Sequence, residues 1–498
     1  MSDIVLIYPK TGNDIKPTIA PPHSLLAIAT LSDKAGYEVK IIDQRVQNNW
    51  REALLKELKT KPVLVGISTM TGTQIHFAIE LAKLIRKHSS VPIVWGGKHP
   101  TLLPGQTLES GYADIVCIGE GDYTLKEIAD CLSSGKALKN VNGLWYNMDK
   151  DYSLMTNNRK LADLNELPTP AWNLIDVENY IHPDMYIHGN RTMDLGQTSR
   201  GCPFSCGFCS QGHSKWRAMT AEKSIAMIKE LVTKYKLDGI WLRDDEFYVD
   251  LKRAAQISEG IIPLNIKWYT SGTRIDLFNK TTDEQLKLYK RSGAGVLKFG
   301  AESGCDRVLK MIGKRITKED TIKANLRCKE FGITPAYNLM AGFPSETLEE
   351  IEETISLIKR LKEDNPNALF ETVSLYAPMP GTPMWDMAIE YGLVPPETLE
   401  GWTGWVFYEY DDEGERMPWY NKRERRVIGN LCYLLSFVYA VPNLLKSYNG
   451  SPWGKLAKAA YAIPCQYFNF RLNHKTYKTM PEMKLIKWLR EKVLVKSN

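Results

Sequence analysis

The chain has 498 residues, of which 43% are hydrophobic and 24% charged. This composition is ordinary for a globular protein and excludes a disordered, collagen-like or coiled-coil protein. The length suggests about three domains. The net charge is +6, but residues 421–498 carry 15 Lys and Arg against 3 Asp and Glu, a local +12 that leaves −6 for the rest. The distribution argues against a general nucleic-acid binder, and the basic tail favours a local anionic partner.

Two further features predict a cytoplasmic protein. The opening MSDIVLIYPK lacks a basic start followed by a long apolar run, so we expect no secretory signal. Nine cysteines in so long a chain do not make a disulfide framework. Three of them lie between Cys202 and Cys209, which indicates metal chemistry.

Strand and helix patterns alternate over residues 1–146, which predicts a Rossmann-like doubly wound parallel sheet. Ligands of such sheets lie at the carboxyl ends of the strands. Short β-branched apolar runs predict the strands, and longer stretches between them predict the helices. The predicted strands are Ile4–Tyr8, Glu38–Ile42, Val63–Ser68, Ile93–Trp95 and Ile115–Ile118, and the predicted helices are Ser24–Ala35, Gln74–His88 and Tyr123–Leu132.

Glycine-rich loops follow three of the predicted strands, with the sequences GISTMT from Gly66, GGKHPT from Gly96 and GEGD from Gly119. Glycines let the backbone approach a large ligand, and the first strand lacks the G-x-G-x-x-G of a dinucleotide site. Together with Pro21-Pro22, these loops resemble the cobalamin-binding domain of B12-dependent radical enzymes. The resemblance implies cobalamin contacts from Ser68, Thr69, Gly96, Gly97, His99, Pro100, Thr101, Gly119, Glu120 and Gly121.

The best-known cobalamin domains carry D-x-H-x-x-G, whose histidine ligates cobalt, and this sequence has no such motif. We therefore expect residues around Thr69–Gln74 to cover the lower face of the corrin. A sheet that binds nothing and only supports its neighbour is the alternative.

The polar, proline-punctuated residues 147–190 predict a linker. Beyond it, Cys202, Cys206 and Cys209 have the spacing C-x3-C-x2-C in a loop rich in glycine and proline. Three thiolates suit a four-iron cubane with one open iron. A zinc site would need a fourth ligand, and His213 gives C-x3-C-x2-C-x3-H, which is not a usual zinc spacing.

This spacing, with the aromatic Phe208 before the last cysteine, resembles the radical S-adenosylmethionine (SAM) superfamily. The resemblance implies a 4Fe-4S cluster on the three cysteines, SAM on the open iron and Phe208 near the adenine. Strand and helix alternate about six times over residues 191–398, which predicts a partial (β/α)6 TIM-like barrel with its site at the strand ends.

Five polar residues at those strand ends are candidates for SAM binding. Asp244 and Asp245 stand where the family keeps its amine-binding motif, although Asp-Asp-Glu replaces the usual G-G-E. Arg274 is expected to meet the methionine carboxylate as a charge-assisted pair. Glu302 and Ser303 are expected at the ribose or the sulfonium. A salt bridge or a surface role is the alternative for each residue.

Residues 399–498 predict a helical, basic and aromatic-rich C-terminal domain. Val427–Leu445 is uncharged but contains Asn430, Pro442 and Asn443, so a buried helix is expected rather than a membrane span. The expected role is a lid over the active site, with peripheral contact to a membrane interface as the alternative.

Together the resemblances imply a cobalamin-dependent radical SAM enzyme. The expected activity is C-methylation of an unactivated carbon through a 5′-deoxyadenosyl radical and methylcobalamin, with the cofactors carrying the hard chemistry. An oxidative cyclase or a rearrangement enzyme is the alternative. A methylthiotransferase would need more cluster cysteines in the first domain, which has only Cys117 and Cys131. The implied partners are an external electron donor such as flavodoxin or ferredoxin and an unknown organic substrate, for which the basic tail suggests an anionic or lipid-linked molecule.

Overall fold

A computed structural model describes residues 2–12, 14, 19–147, 153–184, 186–187, 189–212, 214–405, 414–446 and 452–483. The first unit contains a seven-stranded sheet in the order β2-β1-β3-β4-β5-β6-β7. Strands β1 to β5 are parallel, and β6 and β7 extend the sheet in antiparallel fashion. The strands are β1 Ile4–Tyr8, β2 Val39–Asp43, β3 Leu64–Ser68, β4 Ile93–Gly96, β5 Ile115–Cys117, β6 Leu144–Asn147 and β7 Ser153–Met155.

Six helices accompany this sheet. The chain runs from β1 outward to β2 and back to β3, so the strand order reverses between β1 and β3, which is where open α/β sheets bind ligands. The Rossmann-like prediction is therefore confirmed. The helices are α1 His23–Lys34, α2 Trp50–Leu58, α3 Thr73–His88, α4 Lys98–Leu102, α5 Pro104–Glu109 and α6 Thr124–Ser134.

The second unit is a partial barrel of six parallel strands in the order β8-β11-β12-β13-β14-β15, as predicted. Its strands and the short antiparallel pair β9–β10 are β8 Thr192–Asp194, β9 Ser199–Arg200, β10 Arg217–Ala218, β11 Gly239–Leu242, β12 Lys267–Thr273, β13 Ala294–Glu302, β14 Thr334–Ala341 and β15 Leu369–Leu375. The helices are α7 Ala221–Tyr235, α8 Leu251–Ile261, α9 Ile275–Phe278, α10 Asp283–Arg291, α11 Asp306–Met311, α12 Lys318–Glu330, α13 Leu348–Asp364 and α14 Pro383–Glu390.

The C-terminal part divides between the two units. Trp402 and Trp405 are buried with side chains of the first unit, so residues 399–405 pack on that unit. The helices that follow are α15 Lys422–Leu435, a π-helical turn Ser436–Ala440, α16 Val441–Lys446 and α17 Pro452–Asn473. Of these, α15 and the π-helical turn after it pack on β15, and α16 and α17 pack on these two. In the part of the chain that the structure describes, no helix combines the length and the apolar character that crossing a membrane requires.

Candidate active site between the two units

The antiparallel strands β9 and β10 close the base of the loop that carries the three cysteines. In their register, Arg200 lies opposite Arg217. Gly201 opens the loop with a φ of +85°, and a Cβ there would lie 2.5 Å from the Lys215 carbonyl oxygen, so only glycine fits. The Cys202 amide donates to Ser214 Oγ at 2.9 Å. The backbone therefore fixes both ends of the loop independently of any ligand.

The three thiols of this loop lie within electrostatic range of one another. Cys206 is buried, and Cys202 and Cys209 are half-buried. Burial, with smaller contributions from the charges of Glu246, Cys209 and Cys206, raises the pKa of Cys202 to about 11. Three thiols on one loop fit a cluster that takes one thiolate per iron.

The described residues offer no group of side chains that could bind a single metal ion. Within the described ranges, no three His, Cys, Asp or Glu side chains are grouped so as to hold one ion. His213, the fourth ligand of the zinc alternative, lies outside the described residues.

The three acids after β11 have different surroundings. Asp244 is buried and accepts hydrogen bonds from the hydroxyls of Thr198, at 2.8 Å, and Ser199, so it anchors the base of the cysteine loop. Asp245 accepts from the Gly201 amide at 3.0 Å and lines the central cavity. Glu246, which the sequence analysis did not select, is buried, and this burial raises its pKa to about 7.

The Arg274 guanidinium is already engaged by groups of the protein. Its Nη1 lies 3.4 Å from Cys206 Sγ, to which it donates. Glu302 forms a buried ion pair with Lys314, with 2.8 Å between Oε1 and Nζ. Lys314 was not among the residues predicted from the sequence to bind SAM.

Ser303 forms hydrogen bonds within the protein, and Phe208 packs against another ring. The Ser303 hydroxyl lies 3.2 Å from the Thr354 hydroxyl and accepts from the Cys305 amide at 3.1 Å, so it organises the turn after β13. Phe208 packs against Phe343 with ring centroids 6.0 Å apart.

A cavity of about 550 Å³ lies between the two units. Gly97 at its edge has a φ of +104°, and a Cβ there would lie 2.6 Å from the Thr69 carbonyl oxygen. Thr69, His99 and Pro100 do not line the cavity. From the first unit the wall includes the predicted residues Ser68, Gly96, Gly97, Thr101, Gly119, Glu120 and Gly121, and from the barrel it includes Arg200, Gly201, Gln211, Ser214 and Asp245.

Ion pairs join the two units at the rim of this cavity. Arg200 donates from both terminal nitrogens to Asp122, at 2.8 and 3.0 Å, and Arg217 pairs with Glu120. Lys98 donates to the carbonyl oxygen of Ser210, which directly follows Cys209, at 2.7 Å. Glu120, expected to contact cobalamin, thus belongs to an interdomain clamp that the sequence analysis missed. The clamp is defined by Glu120, Asp122, Arg200 and Arg217.

His99 is fully buried behind the cavity wall. Its Nδ1 lies 3.0 Å from Thr71 Oγ1, and its ring meets that of Trp402 edge-on at 5.6 Å. Burial lowers its pKa from 6.5 to about 4. His99 therefore helps to dock the segment around Trp402 onto the first unit.

This burial predicts a pH dependence of folding. Between pH 6.5 and about 4 the unfolded chain binds a proton at His99 that the folded chain does not, so stability falls as pH falls through this window, by about 3 kcal/mol in total. We expect His99→Gln to flatten the dependence of the free energy of unfolding on pH there, measured by urea denaturation. The same substitution at His76, which is exposed on α3, is the control. An unchanged slope in His99→Gln would contradict the prediction.

A Rossmann-like sheet whose glycine loops share one cavity with a three-cysteine loop on a partial barrel defines an enzyme that brings two cofactors together. The sequence matches the Radical SAM superfamily over residues 197–358 and the B12 binding domain over residues 17–129. An uncharacterized methyltransferase of Pyrococcus horikoshii, PH0819, is 33% identical over 402 residues, covering 78% of this chain and 84% of the relative. The chain belongs to the cobalamin-dependent radical SAM enzymes.

Three further proteins show how widely this architecture is used. Anaerobic magnesium-protoporphyrin IX monomethyl ester cyclase of Rubrivivax gelatinosus is 26% identical and covers 72% of this chain and 65% of the relative. The structure of OxsB with aqua-cobalamin bound superposes with a TM-score of 0.74 at 19% identity, over 98% of this chain and 75% of OxsB. The structure of TsrM from Kitasatospora setae, with cobalamin and a 4Fe-4S cluster bound, superposes with a TM-score of 0.66 at 19% identity, over 80% of each chain.

Proposed function

We propose that this enzyme is a C-methyltransferase that acts on an unactivated carbon. One observation carries the proposal: the cavity lined by the glycine loops of the first unit is also lined by residues of the segment that carries the cysteines, namely Arg200, Gly201, Gln211 and Ser214. The three thiols themselves lie outside its wall. A methyl donor held by the first unit therefore faces the place where the barrel generates a radical. The Pyrococcus horikoshii relative is also named a methyltransferase.

The residues present fit the two metallocofactors. Cys202, Cys206 and Cys209 hold the cluster, and the backbone of the glycine loops holds the corrin. Met70, whose side chain is 47% exposed, lies on the loop expected to cover the lower face. Gln74 fixes that loop by accepting from the Met70 amide at 2.8 Å. When bound, the cluster and SAM supply a hydrogen-abstracting radical, and cobalamin supplies a transferable methyl group.

Charged side chains at the barrel mouth are proposed to orient SAM. Asp245 and Glu246 offer carboxylates to the ammonium, while Asp244 only anchors the loop. Lys314, buried beside Glu302, offers a cation to the methionine carboxylate in place of Arg274. Because Glu246 and Lys314 are buried and Asp245 is half-buried, charges at these positions are screened less than charges at the surface.

Radical SAM enzymes require a substrate and an electron donor, and we propose flavodoxin or ferredoxin as the donor. All nine cysteines are free thiols, which supports a reducing, cytoplasmic setting.

The test uses reconstituted, cobalamin-loaded enzyme, reduced anaerobically and given SAM with a labelled methyl group. Methyl transfer predicts formation of S-adenosylhomocysteine without added substrate, with label that stays with the protein after desalting. Enzyme loaded with cluster but without cobalamin is the control and should form none.

The cyclase relative supports oxidative cyclisation as a second candidate. That function predicts 5′-deoxyadenosine with no S-adenosylhomocysteine and no retained label. This outcome would replace the methyltransferase proposal with a radical oxidation or rearrangement.

The surface of α17 supports an anionic, lipid-linked substrate met at a membrane surface. Leu456, Ile463 and Phe470 are 62%, 78% and 55% exposed, and their spacing places them along one side of the helix. Lys455 and Lys458 are exposed on the same helix. An exposed apolar side with lysines nearby is typical of helices that lie on anionic membranes.

Vesicle sedimentation tests this contact. We expect binding to vesicles containing phosphatidylglycerol, weaker binding to pure phosphatidylcholine, and loss of binding in Ile463→Glu. Val394→Glu is the matched control, because Val394 is 77% exposed but lies away from α17. Equal sedimentation of Ile463→Glu and the control would contradict the proposal.

A further inference from the structure

Arg274 follows β12 and lies directly beside the cysteine loop. Only 7% of its surface is exposed, and its Nη1 donates to Cys206 Sγ over 3.4 Å. Cys206 is the most deeply buried thiol of the cluster motif. The sequence predicts that Arg274 meets the methionine carboxylate, and in the structure one of its terminal nitrogens donates to Cys206.

Contacts along two edges and on one face hold the guanidinium in this position. Asp276 accepts from Nε at 2.8 Å and from Nη2 at 3.2 Å, and Nη2 also donates to the Lys314 carbonyl oxygen at 2.8 Å. The Phe204 ring, which belongs to the cysteine loop, lies with its centroid 4.0 Å from Arg274 Cζ. These contacts occupy the edges and a face of the group and leave Nη1 for the thiol.

A donor fixed in this way has a definite effect on an iron–sulfur cluster. Hydrogen bonds to sulfur ligands, net charge and solvent exposure set the reduction potential. The guanidinium stays protonated at all relevant pH values. A hydrogen bond to a thiolate is stronger when the cluster carries more negative charge, so it stabilises the reduced state more than the oxidised state.

We propose that Arg274 is a positioning residue that orients the Cys206 thiolate by an N–H···S hydrogen bond and raises the reduction potential of the cluster. The step it assists is transfer of one electron from a low-potential protein donor to the oxidised cluster, in which no bond of the protein forms or breaks. The inference rests on the proposed function only in requiring that the cluster binds.

The test is a potentiometric titration of the reconstituted full chain, followed by the electron paramagnetic resonance signal of the reduced cluster without SAM. We expect Arg274→Gln to keep about four irons per chain and to lower the equilibrium constant for reduction about tenfold, which is about 59 mV for a one-electron couple. Arg45→Gln is the matched control. Arg45 also pairs with an aspartate and has its Cζ 4.0 Å from an aromatic centroid, but it lies in the first unit.

A potential unchanged in Arg274→Gln with full iron content would overturn the proposal. If Arg274→Gln fails to fold or loses iron, Arg274→Lys decides, since lysine keeps the charge but loses the planar fork. A lowered potential in Arg274→Lys supports the directional hydrogen bond, and an unchanged one overturns it. Absence of iron in the unsubstituted chain is a distinct result, because it would refute the cluster assignment itself.

Discussion

Cys206→Ala is expected to lose the cluster and all radical chemistry. The thiol is buried, is one of the three proposed to hold the irons, and receives the Arg274 hydrogen bond. Changes outside the ligand set typically cost 10–100-fold in metal affinity, so removal of a ligand should exceed about 100-fold. Iron content and the 400 nm absorbance of reconstituted protein measure the loss, and formation of 5′-deoxyadenosine from SAM should cease with it.

The control for this variant is Cys131→Ala. Cys131 is a half-buried free thiol on α6, outside the cysteine loop. Its replacement should leave iron content, absorbance and 5′-deoxyadenosine formation unchanged. Retention of four irons in Cys206→Ala would contradict the assignment of the cluster to this loop.

Arg200→Met is expected to weaken the contact between the two units, and with it the binding of cobalamin. Asp122 has a side chain only 6% exposed, and loss of both Arg200 hydrogen bonds leaves a buried carboxylate uncompensated. Removal of one partner of a buried pair costs about 3–5 kcal/mol. Because the clamp forms the rim of the shared cavity, the affinity for cobalamin should fall together with the free energy of unfolding.

Urea denaturation and equilibrium dialysis with cobalamin measure the two effects. The exchanged pair Arg200→Asp with Asp122→Arg should restore part of both. Lys83→Met is the control, since Lys83 pairs with Glu80 on the exposed face of α3. If Arg200→Met binds cobalamin as tightly as the unsubstituted chain, the clamp does not support the cavity.

The parallel strands could be predicted because a strand that is covered on both faces has a continuous run of apolar residues in its sequence. The predicted strand Ile4–Tyr8 has the observed bounds, and the predicted helix Gln74–His88 begins one residue later than the observed helix α3. Strand β7 was missed because its sequence, Ser-Leu-Met, is too short and mixed to show a period. Residues 147–190, predicted as a linker, therefore begin by completing the first sheet.

The candidate site, like the fold, could be predicted only in part from the sequence. Spacing alone was enough to predict the cysteines as cluster ligands, since three thiols in a glycine-rich loop have few other uses. Spacing could not distinguish Asp244 from Asp245, because which of two adjacent side chains turns inward depends on where β11 ends. Nor could it find the clamp, whose acids and arginines are far apart in sequence and meet only when the two units pack.

Cobalt and iron per chain test the central claim most directly. The protein would be purified anaerobically from cobalamin-fed cells, and its cluster would be reconstituted before metal analysis. Two cofactors that share one cavity predict about one cobalt and about four irons per chain. Four irons without cobalt would contradict the claim, because the first unit would then be a scaffold and methyl transfer would lose its donor.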